Sequence, residues 1–337
     1  MDSIDSDIYA AWLKLGITTD IGRLASMMPN SSISVRLVRR FGGKLLSYFC
    51  ILDFALAHIL SWILPDIYGG KRAMSSFSID WSSKPVNAAV FACFVNNSSE
   101  MAELAPLISE LEARFSIVLI INTGSLDINN SETSMCIRRS NHGRDLFSYA
   151  LGAVVLKDLE LEEVVFLNDS VHWNEDSINK FLDQAAQLSA RVVGLTESNQ
   201  GSYHLQSFAL AIKKPSKEIF QIIGGIKPFI CKRTLVEYGE KKISRRFLDS
   251  GIQIAAIHDY PKLARNIFIY RELYSTDYAE LTALINQRVD LNPSIHFWPQ
   301  LFVDSGFVKK SLITKNPAKL INSPVSLSDC KEKLISY

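Results

Sequence analysis

The residues best suited to chemistry in this sequence gather around two turns. In the first, an apolar, β-branched run at 164–167 ends abruptly in Asn168-Asp169-Ser170. A buried strand that stops at a carboxylate sets that acid at the carboxyl edge of a sheet, where open α/β folds bind ligands. In the second, Asn141-x-Gly143-Arg144-Asp145 opens an apolar-periodic segment built on Leu146, Tyr149, Ala150, Ala153 and Val154. Glycine and asparagine at a helix start let backbone N–H groups approach a ligand, and that end of a helix favours anions. Arg144 suits bidentate contact with phosphate, and Lys309 and Lys310 supply point charges. Each also fits an ordinary surface role. Asp145 either fixes the Arg144 guanidinium, binds a ligand, or serves as an acidic first-turn residue. Asp169 either contacts a ligand or caps its turn.

These groups need a sheet to carry them. Residues 90–95 and 115–121 read as buried strands, and Leu104, Leu107, Ile108 and Leu111 form one face of a helix between them. Strand, helix and strand at this spacing make a right-handed βαβ unit with a parallel sheet. The strands give way to Asn96-Asn97-Ser98-Ser99 and Asn122-Thr123-Gly124-Ser125, which together line a polar crevice; either one alone is ordinary turn chemistry. Further strands are expected at 164–167, 191–195 and 208–212, and helices at 178–188, 220–223 and 234–247, with the chain returning at 251–255.

Composition narrows the function classes. The 337 residues are 47% hydrophobic and 21% charged with a net charge of +1, so no global field recruits nucleic acid. Five widely spaced cysteines without a C-x-x-C pair argue for reduced thiols and a cytoplasmic chain. Residues 1–85 are expected to form an N-terminal helical region and linker, 86–317 the catalytic domain and 318–337 a tail. Within the first region, 45–64 is the most apolar stretch, interrupted by Asp53 and His58 and preceded by Arg36, Arg39, Arg40 and Lys44. Two readings stay open: a helix lying peripherally on an anionic inner membrane face, or a helix packed on the domain or on a second copy in a homodimer.

The order of these parts resembles the GT-A type of nucleotide-sugar transferase, with Asn168-Asp169-Ser170 where such enzymes usually carry Asp-x-Asp. More closely, NHGRDLFSYALGA, FLNDS, GLTES, YHLQSFAL and NPSIHFWPQLFVDSGFVKKSLITKNP are together similar to the rhamnan synthesis F family, rhamnosyltransferases of bacterial surface polysaccharides; the likeness spans roughly 86–317. It implies a GT-A-like, Rossmann-type mixed, mostly parallel sheet flanked by helices, with an N-terminal helical extension. The implied reaction moves a deoxyhexose, with dTDP-rhamnose the favoured donor, onto a lipid-linked glycan in O-antigen or rhamnan-type synthesis.

Under that resemblance Asn122, Asn141, Gly143, Arg144, Asp145, Asn168, Asp169, Ser170 and Lys309 are expected around the donor. His204, Gln206 and Trp298 are expected on the acceptor or sugar, although a lone buried histidine or a core tryptophan is the commoner role. The Glu–helix–Gly pattern of inverting enzymes points to Glu240 as base, with Glu237 second. Glu240 followed by Lys241 and Lys242 fits a solvated helix face equally well. Mg²⁺ or Mn²⁺ would sit at Asp169, yet two of the three turn positions lack carboxylates, and hard cations prefer several oxygen ligands. Two rivals follow: a transferase of the same fold using another sugar, and a non-catalytic scaffold in a polysaccharide-assembly complex.

Overall fold

The structure is a computed structural model that describes residues 86–320 except 140, 142, 230, 275 and 276, together with 52, 323, 324, 328 and 330. The expected N-terminal helical region, including all of 45–64 but Leu52, lies outside the described residues. Among those described, no helix is long and apolar enough to cross a membrane.

Strand β1 (Asn87–Cys93) is followed by helix α1 (Ser98–Arg114), β2 (Ile117–Asn122), β3 (Ser134–Arg138), α2 (Arg144–Leu156), β4 (Glu163–Asn168) and β5 (Val171–Trp173). The chain continues through α3 (Ser177–Gln187), β6 (Val192–Ser198), β7 (His204–Leu205), β8 (Ala209–Lys213) and α4 (Lys217–Gly224). Next come α5 (Lys232–Leu235), a π-helical turn (Val236–Glu240), α6 (Lys241–Asp249) and β9 (Ile254–His258). Then follow α7 (Tyr260–Asn266), α8 (Arg271–Tyr274), α9 (Asp277–Asn286), α10 (Pro293–His296), α11 (Trp298–Ser305), β10 (Phe307–Lys309) and α12 (Lys310–Lys315).

The central sheet runs β3-β2-β1-β4-β8-β6, with β7 and β9 both paired to β6. Strands β3, β2, β1 and β4 are mutually parallel, β8 is antiparallel to both β4 and β6, and β9 lies parallel to β6. This is the mixed, mostly parallel, helix-flanked sheet expected from the sequence. Parallel strands are covered on both faces, which is why they read as near-continuous apolar runs. Along β1, Ala89, Phe91 and Cys93 face a layer formed by α1, α3 and the C-terminal helices. The alternate residues Ala88, Val90 and Ala92 face a layer formed by α2, α4 and α6. Each fully buried aliphatic or aromatic side chain in these layers contributes roughly 1.5–3 kcal/mol.

Local signals set the helix that follows β1. Asn97 caps α1 by accepting from Glu100 N–H, and the Glu100 carboxylate reaches back to Asn96 N–H at 2.7 Å. The two reciprocal bonds satisfy donors that a helix start leaves open. Leu104, Leu107, Ile108 and Leu111 then bury one face, as their spacing predicts.

The register aligns the strand ends. Cys93 of β1 pairs with Asn122, Asn122 with Arg138, and Ala92 with Asn168, so an asparagine stands on each side of the end of β1. A separate two-stranded ribbon pairs β5 with β10 and sets Lys309 opposite Val171. From the segment beyond 317, Leu320 and Cys330 contribute to the core.

Candidate active site

The turn after β4 is organised by Asn168. Its side-chain carbonyl accepts from Ser170 N–H at 3.0 Å and Ser170 Oγ at 2.6 Å, and its amide donates to Asp145 Oδ2 in a short contact. Asp145 also accepts from the N–H of Leu146, in its own helix. The two turns singled out in the sequence are therefore bonded to each other across 23 positions. Asp169 points the other way: its Oδ2 accepts from Phe94 N–H at 2.8 Å, tying the turn to the end of β1. Burial raises its pKa, opposed by that N–H and by the charge of Lys310.

Lys309 enters from β10. Its ammonium lies 4.6 Å from the Phe208 ring centroid and 3.5 Å from Ser170 Oγ. Burial pushes its pKa down, whereas the charges of Glu240 and Asp145 hold it up. Phe208 stacks on Phe307 at 5.4 Å and Phe307 on Trp173 at 5.9 Å, so an aromatic ladder backs the lysine.

Glu240 arrives from the π-helical turn, where Lys241 N–H reaches Val236 O. Single π turns inside helices recur at functional sites. Its Oε1 accepts from Ser207 N–H at 2.7 Å, beside Phe208. Burial and the charge of Glu240 raise the pKa of Asp145, against the pull of Lys309. Two carboxylates and a lysine thus share one poorly solvated corner, where charge is felt more strongly than in water.

The polar crevice expected from the β1 and β2 loops forms beside this corner. It measures about 600 Å³ and is lined by Asn96, Thr123, Gly124, Ser125, Arg138 and Arg139. Gly124 is required there, because a Cβ would lie 2.1 Å from Val95 O. Arg139 was not singled out in the sequence. Its guanidinium covers the Phe147 ring at 5.1 Å and donates to Ser148 Oγ and to the Arg144 carbonyl. Burial lowers its pKa to about 10, with Asp145 opposing. No local motif marks it; Ser148 and Phe147 meet it only once α2 is folded. Lys310, the second lysine of its pair, acts electrostatically on Asp169.

Other expected residues have different roles. Asn122 is fully buried and every polar group of its side chain serves backbone: Oδ1 accepts from Val95 and Gly124 N–H, and Nδ2 donates to Val95 and Leu126 carbonyls. It shapes the crevice wall but has no group left for a donor. Gly143 has φ +72°, and a Cβ would lie 2.5 Å from that of Phe147. Its N–H goes to Phe229 O, not toward a ligand as expected. Arg144 and Asn141 are exposed, and neither lines the crevice. Glu237 is exposed and paired with Lys241 at 2.6 Å, apart from the corner that Glu240 enters. His204 is buried with Nδ1 against Ser202 O, and Gln206 is bonded at both ends, to Thr196 and Asn292. Trp298 is 2% exposed in the core, so packing, not sugar stacking, explains it.

The donor set does not suit a resident Mg²⁺ or Mn²⁺. Among the described residues no three His, Cys, Asp or Glu side chains gather. Asp169 supplies one carboxylate with an oxygen already engaged, and Asp145 is committed to Asn168 and Leu146.

No protein-family model matches the chain, and no curated protein matches it. Among solved structures, the 2-C-methyl-D-erythritol 4-phosphate cytidylyltransferase of Francisella tularensis aligns at 10% identity with a TM-score of 0.31. The alignment covers 51% of this chain and 89% of that one. A likeness that distant does not bear on function.

Proposed function

We propose that this chain is a GT-A-like glycosyltransferase that moves a deoxyhexose from a nucleotide donor to a lipid-linked glycan. One observation carries the reading: Asp145, the Asn168–Ser170 turn, Glu240 and Lys309 converge from four separate segments on one corner beside an arginine-lined crevice. Sugar transfer needs a neutralised diphosphate and a base for the acceptor hydroxyl. Lys309, with Arg139 on the crevice wall and the exposed Arg144, neutralises the phosphates in place of a metal. Glu240, with one oxygen held by Ser207, takes the proton of the acceptor hydroxyl as the hydroxyl oxygen bonds the anomeric carbon and the diphosphate departs with its bonding pair. Rhamnose as the sugar, dTDP as the nucleotide and a surface-polysaccharide acceptor are what the resemblance of residues 86–317 to the rhamnan synthesis F family implies.

The test is calorimetric titration of the full chain with dTDP, UDP, GDP and dTDP-rhamnose, each in Mg²⁺, Mn²⁺ and EDTA. The expected result is selective micromolar binding of one diphosphate that persists in EDTA and weakens in Lys309→Met. Binding that EDTA abolishes would return the neutralising role to a metal at Asp169. A folded protein that binds none of them would be a scaffold.

A further inference from the structure

Tyr149 carries a hydroxyl that packing does not explain. The residue stands on α2 one turn after Asp145, on the same helix face, and is 1% exposed. Its ring packs edge-on against Phe166 of β4, centroids 5.4 Å apart, a contact that a phenylalanine would make equally well. The hydroxyl itself is buried and has no hydrogen-bond partner among the described residues. Such a group is costly to bury and rare enough to require a reason.

Its surroundings supply one. Burial, then the charges of Asp145, Asp169 and Glu240, raise the pKa of the phenol well above the ordinary tyrosine value, and Asn168 opposes the rise. The phenol therefore stays protonated, a donor held among acceptors. Asn168 has its Oδ1 taken by Ser170 and its Nδ2 bonded to Asp145, so the hydroxyl end lies against the Asn168–Asp145 bond without joining it. The other buried tyrosine hydroxyl without a partner, that of Tyr274, is influenced by Gln300, Tyr270 and Asp304, none of them part of this corner.

We propose that Tyr149 is a positioning residue whose hydroxyl bonds Asp145 when a nucleoside diphosphate draws on Lys309. The inference rests on the transferase reading, in which Lys309 neutralises the phosphates. In the free protein Lys309 serves both carboxylates: the charges of Glu240 and Asp145 act on it, while its ammonium has Ser170 Oγ at 3.5 Å. A diphosphate at that ammonium competes for its charge. Asp145 is then left near Glu240 and Asp169 with two neutral donors, Leu146 N–H and the Asn168 amide. Arg139, on the crevice wall, is the further cation that feels Asp145. A third donor, one turn along the same helix, keeps Asp145 ionised. It thereby holds the Asn168 amide in place, and with it Ser170.

The experiment compares the full-length wild type with Y149F by calorimetric titration with dTDP, UDP and GDP. It adds NMR of tyrosine isotope-labelled at the hydroxyl-bearing ring carbon, where the resonance absent from Y149F belongs to Tyr149. Y149F is expected to bind the preferred diphosphate about tenfold more weakly. Its thermal midpoint without nucleotide should be unchanged or higher, since nothing bonds the hydroxyl in the free protein. In wild type the Tyr149 resonance should shift as the diphosphate saturates. Three results would each overturn the proposal and leave the transferase reading intact: unchanged affinity in Y149F, a Tyr149 resonance that does not move, or a nucleotide-free Y149F less stable than wild type. A folded wild type that binds none of the three diphosphates would overturn the transferase reading, and this proposal with it.

Discussion

Asn122 and Asn168 occupy equivalent places. Each ends a buried parallel strand, each flanks the end of β1, and each is buried. Their bonds separate them. Asn122 makes four contacts to backbone that close its own turn onto the loop after β1, and its one side-chain partner among the described residues is the Cys93 thiol at 3.8 Å. Asn168 binds a serine on one side and a carboxylate on the other. A side chain satisfied by backbone makes a wall, whereas one satisfied by ionisable and hydroxyl side chains orients groups that can react. Residue type and strand position are the same in both cases, so only the partners reveal the role.

If the Asn168 side is where chemistry occurs, Glu240→Gln should show the largest effect. Transfer should fall about 10²–10⁴-fold with nucleotide affinity nearly unchanged; steady-state kinetics beside calorimetry would show it, and an unaffected rate would remove Glu240 as base. Next, Asn122→Ala should lower stability by about 3 kcal/mol or more, because buried backbone groups lose their partners. Asn168→Ala should cost less stability but a larger share of the rate. Urea unfolding of both variants tests the contrast directly, and equal stability losses would break it. Lys309→Met should then weaken diphosphate binding about thirtyfold, roughly the 2 kcal/mol of one charge-assisted contact.

The smallest effect concerns pH. Asp145 has a raised pKa in the folded chain, so between the ordinary carboxylate range and that raised value the folded state holds more protons than the unfolded one. Its contribution to stability is therefore present below that range and lost as pH rises through the raised value. Asp145→Asn should be at least as stable as wild type at neutral pH, with the difference shrinking on acidification. Thermal midpoints across pH 3–8 would check it, and a variant less stable at neutral pH would contradict it.

Much of the sheet was legible in the sequence because its strands are buried on both faces and read as apolar runs. β3 escaped notice because Ser134-Met135-Cys136-Ile137-Arg138 is short and partly polar; β5 and β10 span three residues each. The grouping of the Gly143–Asp145 and Asn168–Ser170 turns could be inferred from chain order, but their direct bond could not. Glu240 and Glu237 lie three apart and look alike in sequence; the π-helical turn and the Lys241 contact separate them. Arg139 carried no local signal, since its neighbours assemble only in three dimensions. Asn122, His204, Gln206 and Trp298 misled because polar or aromatic residues at strand ends and helix starts serve packing as readily as ligands.

The β5–β10 ribbon has a consequence for how the molecule is made. It joins residues 171–173 to 307–309, and Lys310 N–H bonds Ser170 O across the same gap. Contacts separated by so much chain form late, because loop closure must precede them. During synthesis the parallel strands β1 to β4 and their helices are complete long before the lysine-bearing strand leaves the ribosome. A nascent or truncated chain ending before β10 would therefore own both carboxylates and the crevice but lack Lys309, leaving Asp145 and Glu240 facing each other without a cation. Completion of the charge balance is a late event of folding, and it certifies that nearly the whole domain has been translated.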